Sequence, residues 1–74
     1  MNITETRYLT TEQLAERYGK NPITIKAWRW KNWGPPYYTL KVSEVAKGQP
    51  RTRYPLNDLL VWEETNNITP INSF

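Results

Sequence analysis

Gly19-Lys20-Asn21-Pro22 constrains this chain more than any other stretch. Glycine favours the left-handed conformation that ends a helix, asparagine accepts a backbone N–H at a helix start, and proline is pre-set for the first helical turn. One helix must stop here and another begin almost at once, so the two it joins meet at a tight turn. Upstream, Thr10 and Gln13 have the spacing of a capping box, with Leu9 and Leu14 at the positions of a hydrophobic staple. The first helix is expected over Thr11 to Tyr18, with Leu14, Ala15 and Tyr18 on one face. The second is expected from Pro22 through Ile25 and Trp28 to about Trp33, where Gly34-Pro35-Pro36 forbids continuation.

Beyond that point the pattern changes. Tyr37 to Val42 and Arg51 to Tyr54 are rich in aromatic and β-branched residues and predict two short strands. The stretch between them, with Gly48 and Pro50, makes the pair a hairpin with a long mobile tip, a wing. A third helix is expected over Leu56 to Thr65, with Asp58 in its first turn and Leu59 and Trp62 turned to the core. The expected organisation is an N-terminal tail over 1–6, one domain over 7–65 and a flexible tail over 66–74 that contains Pro70. With 74 residues the domain is small, and four Trp, five Tyr and one Phe supply the bulk of its core. Tyr37, Tyr38 and Tyr54 are read as filling the space under the hairpin.

The chain has no cysteine and no histidine, which removes thiolate chemistry, disulfides and the commonest general base and metal ligand. Glu63 and Glu64 are adjacent on a helix and diverge by about 100°, so they cannot share a reacting atom. Ser43 and Ser73 have no base, and the three glycines stand singly in turns, so no phosphate-cradling loop forms. The chain is therefore read as non-enzymatic, with no catalytic residue, cofactor or metal. No apolar run is long enough for a membrane span and the first residues lack a signal-peptide core, which makes a cytoplasmic location the expectation.

Charge is unevenly distributed. Lys20 to Arg53 holds eight basic residues against the single acid Glu44, a net +7 in a chain whose total is +3. That polarity suits a surface that meets a polyanion. On the second helix, Ile25 and Trp28 share the face assigned to the core, whereas Trp30 points about 200° away from Trp28. The opposite face carries Ile23, Lys26, Ala27 and Trp30, flanked by Thr24 and Arg29 and preceded by Asn21. These seven residues are the candidate major-groove contacts. For Trp30, packing against the hairpin or Trp33 stands beside contact with a phosphate or partner protein. Lys41, Lys47, Gln49, Arg51 and Arg53 are the candidate wing contacts to backbone or minor groove.

The residues Tyr8-Leu9-Thr10-Thr11-Glu12-Gln13-Leu14-Ala15, Tyr18-Gly19, Thr24-Ile25 with Trp28-Arg29, Gly34-Pro35-Pro36-Tyr37, and Arg53-Tyr54-Pro55 through Asp58-Leu59 to Trp62 form a joint pattern. It resembles the small winged helix-turn-helix proteins related to MerR-type DNA-binding domains, over about Tyr8 to Glu64. That group includes phage and mobile-element excisionases, or recombination directionality factors, and short phage-type transcriptional regulators. Two departures stand out: Lys20 replaces a commonly apolar turn residue, and Val42 to Pro50 is longer than the usual short glycine turn. The resemblance implies a mainly α fold with a small β-hairpin, its second helix in the major groove of double-stranded DNA and its wing on the adjacent minor groove or backbone. It implies a protein that bends DNA, loads head to tail on adjacent sites and steers a tyrosine-recombinase integrase toward excision. A small transcriptional regulator is the alternative, and the lack of a long coiled-coil helix of the larger MerR type favours the architectural role. A further alternative is a protein-interaction adaptor or packaging-terminase fragment that docks through Trp30 and Leu60.

Overall fold

All three helices stop in the same way, and that shared ending sets the architecture. The computed structural model describes residues 7–72, which form β1 (Tyr8–Leu9), α1 (Thr11–Arg17), α2 (Pro22–Trp30), β2 (Tyr38–Thr39), β3 (Thr52–Pro55) and α3 (Leu56–Thr65). After α1 comes Gly19 at φ 64°, after α2 Asn32 at φ 54°, and after α3 Asn67 at φ 56°. In each case the next N–H reaches back to the third-last helical carbonyl: Lys20 to Ala15 at 2.8 Å, Trp33 to Trp28 at 2.9 Å, Ile68 to Glu63 at 2.8 Å. These are Schellman caps, which satisfy orphan carbonyls and turn the chain back over its own helix.

The starts follow the sequence closely. Thr10 accepts the Gln13 N–H at 3.2 Å while the Gln13 side chain accepts the Thr10 N–H at 2.9 Å, the expected capping box. Asn21 caps α2 by accepting the Ile23 N–H at 2.9 Å, with Pro22 as the first helical residue. Asp58 lies in the first turn of α3.

The strands make one antiparallel sheet in the order β1-β3-β2. Leu9 is opposite Tyr54, and Tyr38 is opposite Arg53. The fold is thus three helices and a three-stranded antiparallel sheet, in which the expected hairpin of β2 and β3 gains β1 as a third strand. The third strand, β1, is two residues long, too short to show any alternation in sequence. β2 covers only Tyr38–Thr39 of the expected Tyr37 to Val42, because Val42–Glu44 turns into a 3-10 helix whose Glu44 carboxylate accepts the Lys41 N–H at 2.8 Å.

Leu9, Leu14, Ala15, Tyr18, Ile25, Tyr54 and Leu59 form the buried core, with Trp28, Leu56, Trp62 and Ile68 packed against it. Tyr54 fills the core as expected, but Tyr37 and Tyr38 remain 45% and 40% exposed. A sheet of such short strands has too little cover for three tyrosines, so Tyr38 instead meets Tyr8 edge to face on the surface. The second helix ends at Trp30, not Trp33, because Asn32 takes the left-handed conformation that asparagine tolerates. That turn brings the Trp33 ring to 4.9 Å from Trp28 and 5.4 Å from Trp62, closing an aromatic cluster. Gly34 is required at φ 110°, where a Cβ would lie 3.2 Å from the Trp28 ring.

The segment expected as a flexible tail is docked. Ile68 packs on the core, Ile71 and Asn72 donate their N–H groups to the Arg17 carbonyl at 2.8 and 3.0 Å, and the Asn72 side chain donates to Glu16 at 2.8 Å. The Asn67 cap is what redirects the chain onto α1. Residues 73–74 of that tail, with Ser73, and the whole expected N-terminal tail lie outside the described residues.

Candidate functional site

α2 divides its side chains as the helical period requires. Ile25 is fully buried and Trp28 packs on the core, whereas Ile23 is 72% and Trp30 88% exposed, with Thr24 and Lys26 exposed beside them and Ala27 half-buried. Neither the hairpin nor Trp33 covers Trp30; Trp33 joins Trp28 and Trp62 instead. Asn21 is exposed and its side-chain oxygen is engaged by the helix start.

Arg29 differs from its neighbours on the helix. One of its terminal nitrogens, Nη1, donates to Tyr54 Oη at 2.8 Å and to Thr11 Oγ1 at 3.1 Å, and its guanidinium carbon lies 5.6 Å from the centre of the Tyr37 ring. Arg29 follows Ile25 by four residues, so it lies about 40° from the core-facing direction and reaches α1 and β3 before solvent. Its main observed role is to tie the two helices to the sheet.

The segment from β2 into β3 carries four cations. Lys41 and Lys47 are exposed, and so is Gln49, whose N–H closes a turn onto Ala46 at 3.0 Å. Arg51 is exposed and donates through Nε to the Leu40 carbonyl at 2.9 Å; half-buried Arg53 donates to the Pro50 carbonyl at 2.6 Å. Each guanidinium is therefore oriented by backbone and keeps donors to spare.

Of these groups, Lys26 and Arg29 on α2 and Gly48, Gln49, Pro50, Arg51 and Thr52 on the hairpin line one open cleft, together with Pro22 and Thr10-Thr11-Glu12 at the start of α1. Three cations and one acid thus face a concave surface between helix and loop. Lys41 and Arg53 do not line it, and Lys47 stands on another side of the same loop with Val42 and Val45. The contribution of the α1 start was not read from the sequence; its capping box gave no hint of which loop would pass over it.

A second polar constellation was also missed. Arg17 and Glu63, 4% and 5% exposed, form a two-point pair with both N–O distances at 2.7 Å, and Tyr18 Oη donates to the same carboxylate at 2.5 Å. Burial alone would raise the Glu63 pKa, but the bonds from Arg17 and Tyr18 outweigh it and hold the carboxyl below its ordinary range. Burial and the neighbouring carboxylate push the Tyr18 hydroxyl well up, and the bond from Glu63 raises Arg17. The signal was present in the periodicity. Arg17 follows Leu14 by three residues and Glu63 follows Leu59 by four, so each charge sits on an apolar stripe. Among the described residues no buried side-chain nitrogen or oxygen lacks a partner. The site is sealed, and its geometry is that of a structural clamp between α1 and α3.

Among the described residues no three acids or other ligands gather as a metal-binding group, and no helix is long and apolar enough to cross a membrane. Comparison with protein-family models, curated proteins and solved structures returns no match.

Proposed function

We propose that the chain is a non-enzymatic, double-stranded-DNA-binding protein of winged helix-turn-helix type, with α2 as the major-groove helix and the β2–β3 loop as the wing. The observation that carries this reading is the open cleft lined by Lys26 of α2 and Arg51 of the loop. A duplex backbone strand is a ridge of anionic charge flanked by grooves, and a helix and a loop with cations between them match that shape. The tight turn from α1 to α2, the exposed face of α2 and the +7 charge of Lys20 to Arg53 all support it. Arg29 is assigned to holding the scaffold first and to DNA second.

The cellular role proposed is that of an excisionase, which bends attachment-site DNA, loads on adjacent sites and directs a tyrosine-recombinase integrase toward excision. A single small module covers roughly 600 to 1,000 Å² of DNA, which favours cooperation between neighbours. The test has two arms. Fluorescence anisotropy with duplexes from the native locus measures binding, and an excision assay with the cognate integrase measures the role. Salt-sensitive binding with stimulated excision supports the proposal. Binding that leaves recombination unchanged returns the protein to the transcriptional-regulator reading, and no binding to any duplex at low salt removes both.

A further inference from the structure

For a surface that reads bases, the exposed face of α2 is poor in hydrogen-bonding groups. Ile23, Ala27 and Trp30 stand at i, i+4 and i+7, within about 60° of one another around the axis and along about 10 Å of it. Ile23 and Trp30 are exposed on 72% and 88% of their surface, and nothing in the described fold packs on either. The side chains that distinguish bases by two-point hydrogen bonding are engaged elsewhere. The Asn21 oxygen caps the helix, and Arg29 is turned toward Thr11 and Tyr54. The polar groups that flank the ridge are Thr24, Lys26 and, at the C-cap, Lys31.

An apolar ridge in a major groove has one kind of partner among the four ordinary bases, the C5 methyl of thymine. We infer that α2 recognises a short thymine run, with Ile23, Ala27 and Trp30 covering two or three consecutive methyl groups and Lys26 placed for an acceptor at the edge of the run. The ridge length matches about three base steps at 3.4 Å each. This inference rests on the duplex-binding reading above and adds the class of sequence that the same face selects. Specificity then comes from burial of methyl groups, while the loop cations supply attraction to the backbone without regard to sequence.

The test starts with selection from a random duplex pool by the full chain. The best duplex is then compared with one in which every thymine is replaced by uracil, which removes the methyl and leaves each Watson–Crick pair intact. Enriched sites should share a run of two or three thymines. Uracil replacement should weaken binding by about 15- to 60-fold, at roughly four-fold for each methyl buried. In Ile23→Ala, an exposed change that leaves the core untouched, the thymine-to-uracil ratio should shrink while the dependence on salt stays the same. Equal affinity for the two duplexes overturns the inference and leaves duplex binding standing. If Ile23→Ala and Trp30→Ala also leave duplex affinity unchanged, the ridge faces a protein instead. Absence of any enriched duplex overturns the underlying reading.

Discussion

At the residue scale, two arginines show how differently one side chain is used in 74 residues. Arg17 is paired face to face with Glu63 and sealed from water, so its partner must stay ionised for the fold to hold. Because the folded Glu63 pKa lies below its unfolded value, the clamp's contribution is complete above the ordinary carboxylate range and is lost as pH falls through the folded value. Thermal melts from pH 6 down to pH 3 should therefore show a falling Tm at the acid end. The variant that replaces both partners, Arg17→Met with Glu63→Leu, should lose that part of the dependence. Glu63→Gln alone leaves a buried guanidinium without its counter-charge and should cost about 3 to 5 kcal/mol, more than the double replacement. Arg29 bridges α1, α2 and β3 through Thr11 and Tyr54, and Arg29→Ala should lower stability by about 1 to 3 kcal/mol in denaturant melts as well as weakening DNA binding. By sequence Arg29 is a candidate groove contact, and its four-residue spacing from Ile25 is what also turns it toward Thr11 and Tyr54.

At the scale of elements, the caps decide both where the helices stop and what the loops do next. Gly19 tolerates its conformation freely, and a Cβ there would also stand 2.8 Å from Ile71 Cδ1. Gly19→Ala should cost about 1 to 2 kcal/mol from the left-handed backbone alone, with additional loosening of the docked segment that hydrogen exchange at Ile71 and Asn72 would report. On α2 the two faces predict opposite outcomes: Trp28→Ala opens the aromatic cluster and should cost about 3 to 5 kcal/mol, whereas Trp30→Ala should leave Tm nearly unchanged. The helix starts, the turn at Gly19 and the faces of α2 were legible because capping and a period of 3.6 are local properties. The end of α3 at Thr65 was legible as well, but the end of α2 was not, since asparagine in a left-handed cap looks like any polar residue until a ring packs back across it. Strand β1 and the docking of Ile68 to Asn72 depend on partners some fifty residues away, such as Leu9 with Tyr54, and local pattern carries no record of them. For the candidate site, the sequence supplied the exposed residues of α2 and the basic loop; it did not supply the cleft that joins Lys26 to Arg51 or the inward turn of Arg29.

At the scale of the whole molecule, the Cα frame is a slab of 36 × 35 × 20 Å with its charge divided by region. The segment holding α2 and the β2–β3 loop is strongly basic, while from Tyr54 onward the only ionisable side chains are Tyr54 itself, Asp58, Glu63 and Glu64. Glu63 is neutralised internally, so α3 presents Asp58 and Glu64 to solvent. Under the duplex-binding proposal, this division of charge draws a duplex to one region and repels it from another, which orients the encounter before any base is read. The most direct check of the central claim is the slope of log affinity against log salt for a duplex from the native locus, with and without Lys26 and Arg51. Contact with about five phosphates gives a slope near −4.5, or roughly a 500-fold loss between 50 and 200 mM salt. Lys26→Ala and Arg51→Ala should each weaken binding and flatten the slope by about one unit. A slope near zero, or one that neither substitution alters, would contradict the assignment of the cleft between α2 and the loop as the seat of the DNA backbone.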